Sequence, residues 1–183
     1  MTERKKIHPH KFTLWVAIGS ITMMFAGLTS AYIIKRNQPN WLEFDLPIIF
    51  WYSTAAIMIS SITIWMAERA LREGEMLKYR KMLVTTFLLG LLFVALQIIG
   101  FAQMWKQGLT LTKNVSISFL YPIIGLHAIH VIGGVIALSI MFLKAFSTKR
   151  RVYTAVPIEM MSTYWHFVDL LWIYLLIFLL MIR

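Results

Sequence analysis

Five apolar stretches, at about 13–34, 47–67, 82–104, 117–143 and 158–181, constrain this chain more than any other feature. Each runs at least ~20 residues, the length a helix needs to cross ~30 Å of hydrocarbon at ~1.5 Å per residue. In lipid the backbone must satisfy its own polar groups, so all five read as helices. The first three contain no charged residue; the fourth contains Pro122 and His127, and the fifth contains Asp169. The first stretch reads as a span and not as a cleavable signal. It is too long for a signal core of about 7–15 residues, and Lys35 and Arg36 follow it where small residues would be needed. The expected fold is therefore all-α: a single membrane domain over 1–183, a polytopic bundle of five transmembrane helices.

Composition narrows the class. With 59% hydrophobic and 14% charged residues and a mean hydropathy of +0.71, a water-soluble domain of 183 residues has no way to hide its apolar surface. Intrinsic disorder is excluded by the same hydrophobicity. Zero cysteines exclude disulfides, zinc–thiolate sites, iron–sulfur clusters and thiol-bridged copper. The net charge of +10 suggests nucleic acid in a soluble protein, but here it reports topology. Thirteen Lys and Arg residues fall in the N-terminal tail and in the loops between helices two and three and between helices four and five, against five on the other side. The positive-inside rule then places the N-terminus in the cytoplasm and the C-terminus outside. The same basic groups suit anionic lipid headgroups, with no nucleic acid as partner.

The loops are short, which leaves no room for an extramembrane domain, and no internal repeat of the transporter kind is visible. Ala26/Ser30, Gly27/Ala31 and Gly133/Ala137 place small residues four apart, a spacing that lets helices approach closely. Segment 67–81 reads as a charged helical extension supported by Glu68/Arg72 and Glu75/Lys78 pairs.

Ionisable groups at bilayer depth need a reason, and His127, His130, Glu159, His166 and Asp169 are the five in question. His127 and His130 share a face of helix four, as His166 and Asp169 share one of helix five, with Glu159 two turns before His166. Asp169 lies roughly 16 Å from one surface and His127 roughly 15 Å from the other, both near the midplane. The two helices are consecutive, so a buried contact between the helix-four histidines and the His166/Asp169 pair is expected. Three readings compete: a heme or metal site on His127, His130 and His166; a proton path through Glu159, His166 and Asp169; and a structural polar seam that sets helix register, which is favoured.

Helices four and five carry more specific information. The run Tyr164-Trp165-His166-Phe167-Val168-Asp169-Leu170-Leu171-Trp172 resembles the YWHFVD-x-x-W signature of subunit III of heme–copper oxidases. His127-Ala128-Ile129-His130-Val131-Ile132-Gly133-Gly134 is similar to that family's H-x-x-H-V-x-x-G, and Glu159 precedes His166 by seven, as the family's glutamate does. Met24 to Leu28, Leu96-Gln97 and Arg72-Glu73-Gly74 fall at similar places. The resemblance spans about 10–181 and points to the short five-helix bacterial form of a family whose longer members have seven.

The resemblance implies a non-catalytic subunit of a proton-pumping terminal oxidase, cytochrome c or quinol, in the bacterial inner membrane. It would hold no heme and no copper itself, these residing in partner subunits. It would support assembly, sustained proton uptake by catalytic subunit I, and bound phospholipid; membership of a larger respiratory assembly stays open. A small b-type cytochrome and a stand-alone proton-coupled transporter are the alternatives. Lys11 and Lys144 match basic positions near family headgroup sites, and Lys149 and Arg151 join them as candidates. Two family carboxylates are missing: one falls on Ile21, within Ser20-Ile21-Thr22, and the other on Gly100.

Overall fold

The computed structural model describes residues 9–36, 47–106, 115–146 and 156–182. They form five helices: α1 (Pro9–Lys35), α2 (Ile49–Arg72), α3 (Met76–Lys106), α4 (Val115–Ala145) and α5 (Val156–Ile182). Each is long and apolar enough to cross a membrane, and no strand occurs among the described residues. The chain is a multi-pass, all-α membrane protein. Four of the expected spans lie wholly inside a helix, and the second starts two residues ahead of α2. The helices overrun the apolar stretches because polar residues continue a helix once it leaves the hydrocarbon.

Segment 67–81, expected as one charged helical extension, is instead the end of α2 and the start of α3, broken by a turn at 73–75. α2 and α3 share a tight turn with Gly74 at φ 78°. The Glu75 amide donates to the Ala70 carbonyl at 2.9 Å and the Gly74 amide to the Leu71 carbonyl at 3.2 Å. This is a Schellman-type stop, for which the left-handed residue is normally glycine. The Glu68–Arg72 and Glu75–Lys78 pairs form at 2.8 Å and 3.1 Å. The hydrogen bond from Arg69 holds the Glu73 carboxyl below the usual carboxylate range.

Helices α2, α3, α4 and α5 pack in a ring in that order, with α5 closing onto α2; α1 packs in the outer groove between α4 and α5. Lys11 and Arg72 both meet Glu159, and Arg80 lies over Phe146, 5.5 Å from its ring centroid. The starts of α1, α3 and α5 and the ends of α2 and α4 therefore gather at one end of the bundle, hereafter the basic end.

The ring is keyed by one side chain. Trp165 of α5 is buried, and its indole Nε1–H donates to Ser60 Oγ of α2 at 2.9 Å. A Cβ added at Gly90 of α3 would lie 2.9 Å from the far edge of the indole, and one at Gly134 of α4 would lie 3.0 Å from it. One tryptophan thus meets all three other ring helices, two of them through glycine notches. The small-residue pairs expected to mediate packing mostly do not: a Cβ at Gly27 or Gly133 would meet nothing within 4 Å, and Ala26 and Ser30 are exposed. Close approach goes instead through Gly90, Gly134 and Gly100, which face the large rings.

Candidate functional site

The polar groups fall into three places. At the basic end, Glu159 accepts from Lys11 Nζ at 2.6 Å and from Arg72 Nη2 at 2.9 Å, while Arg72 also holds Glu68 at 2.8 Å. These four groups border an open recess of about 260 Å³ between α1, α2 and α5. Glu159 is therefore an ion-pair hub at the mouth of the bundle. Lys11, a headgroup candidate, directs its ammonium at this carboxylate.

Next comes the α2–α5 seam. Ser61 Oγ hydrogen-bonds His166 Nδ1, and neither oxygen of the Asp169 carboxyl has a hydrogen-bond partner. Asp169 is 4% exposed and His166 is half-buried. Further along the same interface, Trp172 Nε1–H donates to Thr54 Oγ1 at 2.9 Å.

The third place is an aromatic box around His127. Its ring stacks on Trp172, with centroids 5.2 Å apart, and meets the edges of Phe25 and Phe93. Neither ring nitrogen has a hydrogen-bond partner. His130 bonds the Leu126 carbonyl through Nδ1 at 2.7 Å, and its own carbonyl accepts from the Tyr164 hydroxyl at 2.9 Å.

No hydrogen bond joins the helix-four histidines to His166 or Asp169: the His127 and Asp169 polar atoms have no partner, and His166 bonds Ser61 of α2. Trp165 and Trp172 bond α2 hydroxyls while their rings reach α3 and α4. Lys144 is exposed near the end of α4, whereas Lys149 and Arg151 lie outside the described residues.

Several structuring residues are hydroxyls on α2 that the charge-centred reading passed over. Ser53 accepts from Gln97 Nε2 at 2.9 Å, Thr63 and Thr86 bond each other at 2.8 Å, and Ser60 and Thr54 serve the two tryptophans. Their signal is the group Ser53, Thr54, Ser60, Ser61 and Thr63 within an otherwise apolar span, in which Ser53/Ser60 and Thr54/Ser61 are each seven apart.

Among the described residues no group of three or more His, Asp or Glu side chains is placed to hold a metal ion. What the arrangement can do is hold helices in register.

Residues 30–182 match the sequence profile of the family described as cytochrome c oxidase subunit III. The chain belongs to this family. It is 30% identical to a probable cytochrome c oxidase subunit 3 of Nocardia farcinica, covering 92% of this chain and 89% of that protein. It is 29% identical to cytochrome c oxidase subunit 3 of Bacillus subtilis, over 88% of this chain and 80% of the other. The probable subunit 3 of Mycobacterium tuberculosis is 30% identical over 97% and 93%.

As a subunit III family member, the chain fills both missing-carboxylate positions with apolar packing. A Cβ on Gly100 would lie 2.9 Å from Ile49 Cγ2 and 3.2 Å from the Phe50 ring, leaving no space for a longer side chain. Ile21 packs against the core.

Proposed function

We propose that this chain is the non-catalytic subunit III of a proton-pumping cytochrome c oxidase in a bacterial inner membrane, with its basic end in the cytoplasm. The family match over residues 30–182 carries the reading. The positive-inside asymmetry supports the orientation. In this reading hemes and copper belong to partner subunits, and this chain supplies a packed flank to catalytic subunit I. The exposed face of α1, with Gly19, Ala26, Gly27 and Ser30 open to the outside, suits close approach by a partner helix. Lys11, Lys144, Lys149 and Arg151 are the basic groups offered to anionic phospholipid headgroups, with Lys11 paired to Glu159 in this structure. The polar groups His127, His130, Glu159, His166 and Asp169 act in assembly and register.

Purification from native membranes tests this. The chain is expected to co-purify with heme- and copper-bearing subunits, and the separated chain is expected to show no heme absorbance. Heme absorbance that stays with the isolated chain, or the absence of oxidase subunits from the purified material, overturns the reading.

A further inference from the structure

We propose that the half of α1 nearest the basic end is a movable wall of the recess between α1, α2 and α5, pivoting on residues 25–32 and latched by the Lys11–Glu159 ion pair. The two halves of α1 are held differently. Phe25, Thr29 and Tyr32 form one buried stripe along the helix. Phe25 meets the rings of His127 and His130 edge-on. Thr29 Oγ1 and the Tyr174 hydroxyl share a hydrogen bond at 2.9 Å, and Tyr32 lies against Phe178 with centroids 5.5 Å apart. This stripe fastens α1 to both α4 and α5.

Toward the basic end the hold loosens. None of residues 11–24 is buried. Ile21 and Met24 still pack against the core, but Leu14 and Trp15 line the open recess. The hydroxyls of this half stay within their own helix: Thr13, Ser20 and Thr22 donate to the carbonyls of Pro9, Val16 and Ile18. Segments with few buried apolar contacts are those that open locally. A charge pair ties this one to α5, Lys11 Nζ on Glu159 Oε2 at 2.6 Å.

A small motion releases the latch. From Phe25 to Lys11 the helix spans about 21 Å, so a tilt of about 10° carries Lys11 by roughly 4 Å and parts the pair. The side chains of Lys11 and Glu159 are 42% and 22% exposed, so water competes for both groups. Glu159 is not stranded when Lys11 leaves, because Arg72 holds its other oxygen at 2.9 Å. Lys11 in turn takes its ammonium to water on a flexible stem. Glu68, the other carboxylate on the recess, is already held by Arg72 at 2.8 Å within α2. Release widens the recess and opens its α5 floor, Glu159, Met160 and Thr163, toward the membrane surface.

Pulsed electron–electron double resonance on the full chain in lipid nanodiscs tests this. The chain has no cysteine, so two introduced cysteines carry the only spin labels. Phe12→Cys with Leu77→Cys, both exposed positions, reports the basic end of α1 against α3. Ile33→Cys with Ile98→Cys, also exposed, reports the anchored end. Lys11→Gln and Glu159→Gln should each lengthen or broaden the first distance distribution by about 4 Å, the displacement of that tilt, and leave the second unchanged. Lys11→Arg keeps the charge and should keep the parent distribution. Lys11 is partly exposed, so Lys11→Gln decides the matter even where Glu159→Gln fails to fold. A basic-end distribution unchanged in Lys11→Gln, or an equal shift at both ends of α1, overturns the proposal. The measurement is made on the chain alone, so its failure leaves the oxidase reading standing, and a failed co-purification leaves this one standing.

Discussion

Replacing Gly90 by alanine adds one methyl group at the point where α3 receives the Trp165 indole. In an open helix the change stabilises by about 1 kcal/mol through backbone propensity. Here the new Cβ would sit 2.9 Å from Trp165 Cη2, 3.2 Å from Cζ2 and 3.4 Å from Val135 Cγ2. The ring has little freedom to yield. Gly134 backs it from α4, and Ser60 holds its Nε1–H at 2.9 Å. Overpacking of this kind costs about 1–3 kcal/mol, and a shift that breaks the indole hydrogen bond leaves a buried donor unmet at a further ~1–3 kcal/mol. The expected net effect of G90A is destabilisation by about 1–2 kcal/mol. Reversible unfolding of the purified chain in mixed micelles, followed by helical circular dichroism, measures it. The sharper readout is a double-mutant cycle with Trp165→Phe, which removes the atoms the new Cβ would strike. The two changes should couple by about 1–2 kcal/mol, the double variant being less damaged than the sum of the singles. A G90A chain at least as stable as the parent, or an additive cycle, refutes the wedge geometry.

Three further outcomes are expected. Ser60→Ala strands the Trp165 Nε1–H and should lower stability by about 1–3 kcal/mol in the same unfolding assay. Gly74→Ala forces a side chain into the left-handed turn between α2 and α3 and should lower stability by about 1–2 kcal/mol, with no change in helix content by circular dichroism. Glu159→Gln releases Lys11 and Arg72 from partly exposed pairs worth about 0–1 kcal/mol each. Its larger signature should be greater retention of anionic phospholipid by native mass spectrometry, lost at high salt.

Much of the architecture could be read directly. Uninterrupted apolar length marks all five helices, because lipid forces the backbone to close its own hydrogen bonds. The basic residues gather where the alternation of spans says they must, and Lys11, Arg72 and Arg80 meet their partners at one end of the bundle. The i, i+4 pair of Glu68 and Arg72 forms as its spacing predicts. The hydroxyls were harder to assign. Ser20 and Thr22 on α1 bond only the carbonyls four residues before them, while Ser60 and Thr54 on α2 accept from tryptophans. In an apolar span these two kinds of hydroxyl have the same composition. Only the position of the neighbouring helix tells them apart.

The same limit explains Asp169. Spacing shows that His166 and Asp169 share a face, but a shared face carries no information about where the helix turns it. Between helices in lipid there is no hydrophobic gain to set that rotation, because acyl chains are as apolar as leucine; the fit of volumes decides. On α5 the Trp165 ring fits the notches at Gly90 on α3 and Gly134 on α4. Seating it fixes the rotation of α5 and leaves the buried Asp169 carboxyl without a hydrogen-bond partner. A carboxyl expected to make a buried contact with the helix-four histidines is placed by the packing of its neighbours. The polar chemistry of this seam is thus a consequence of ring packing.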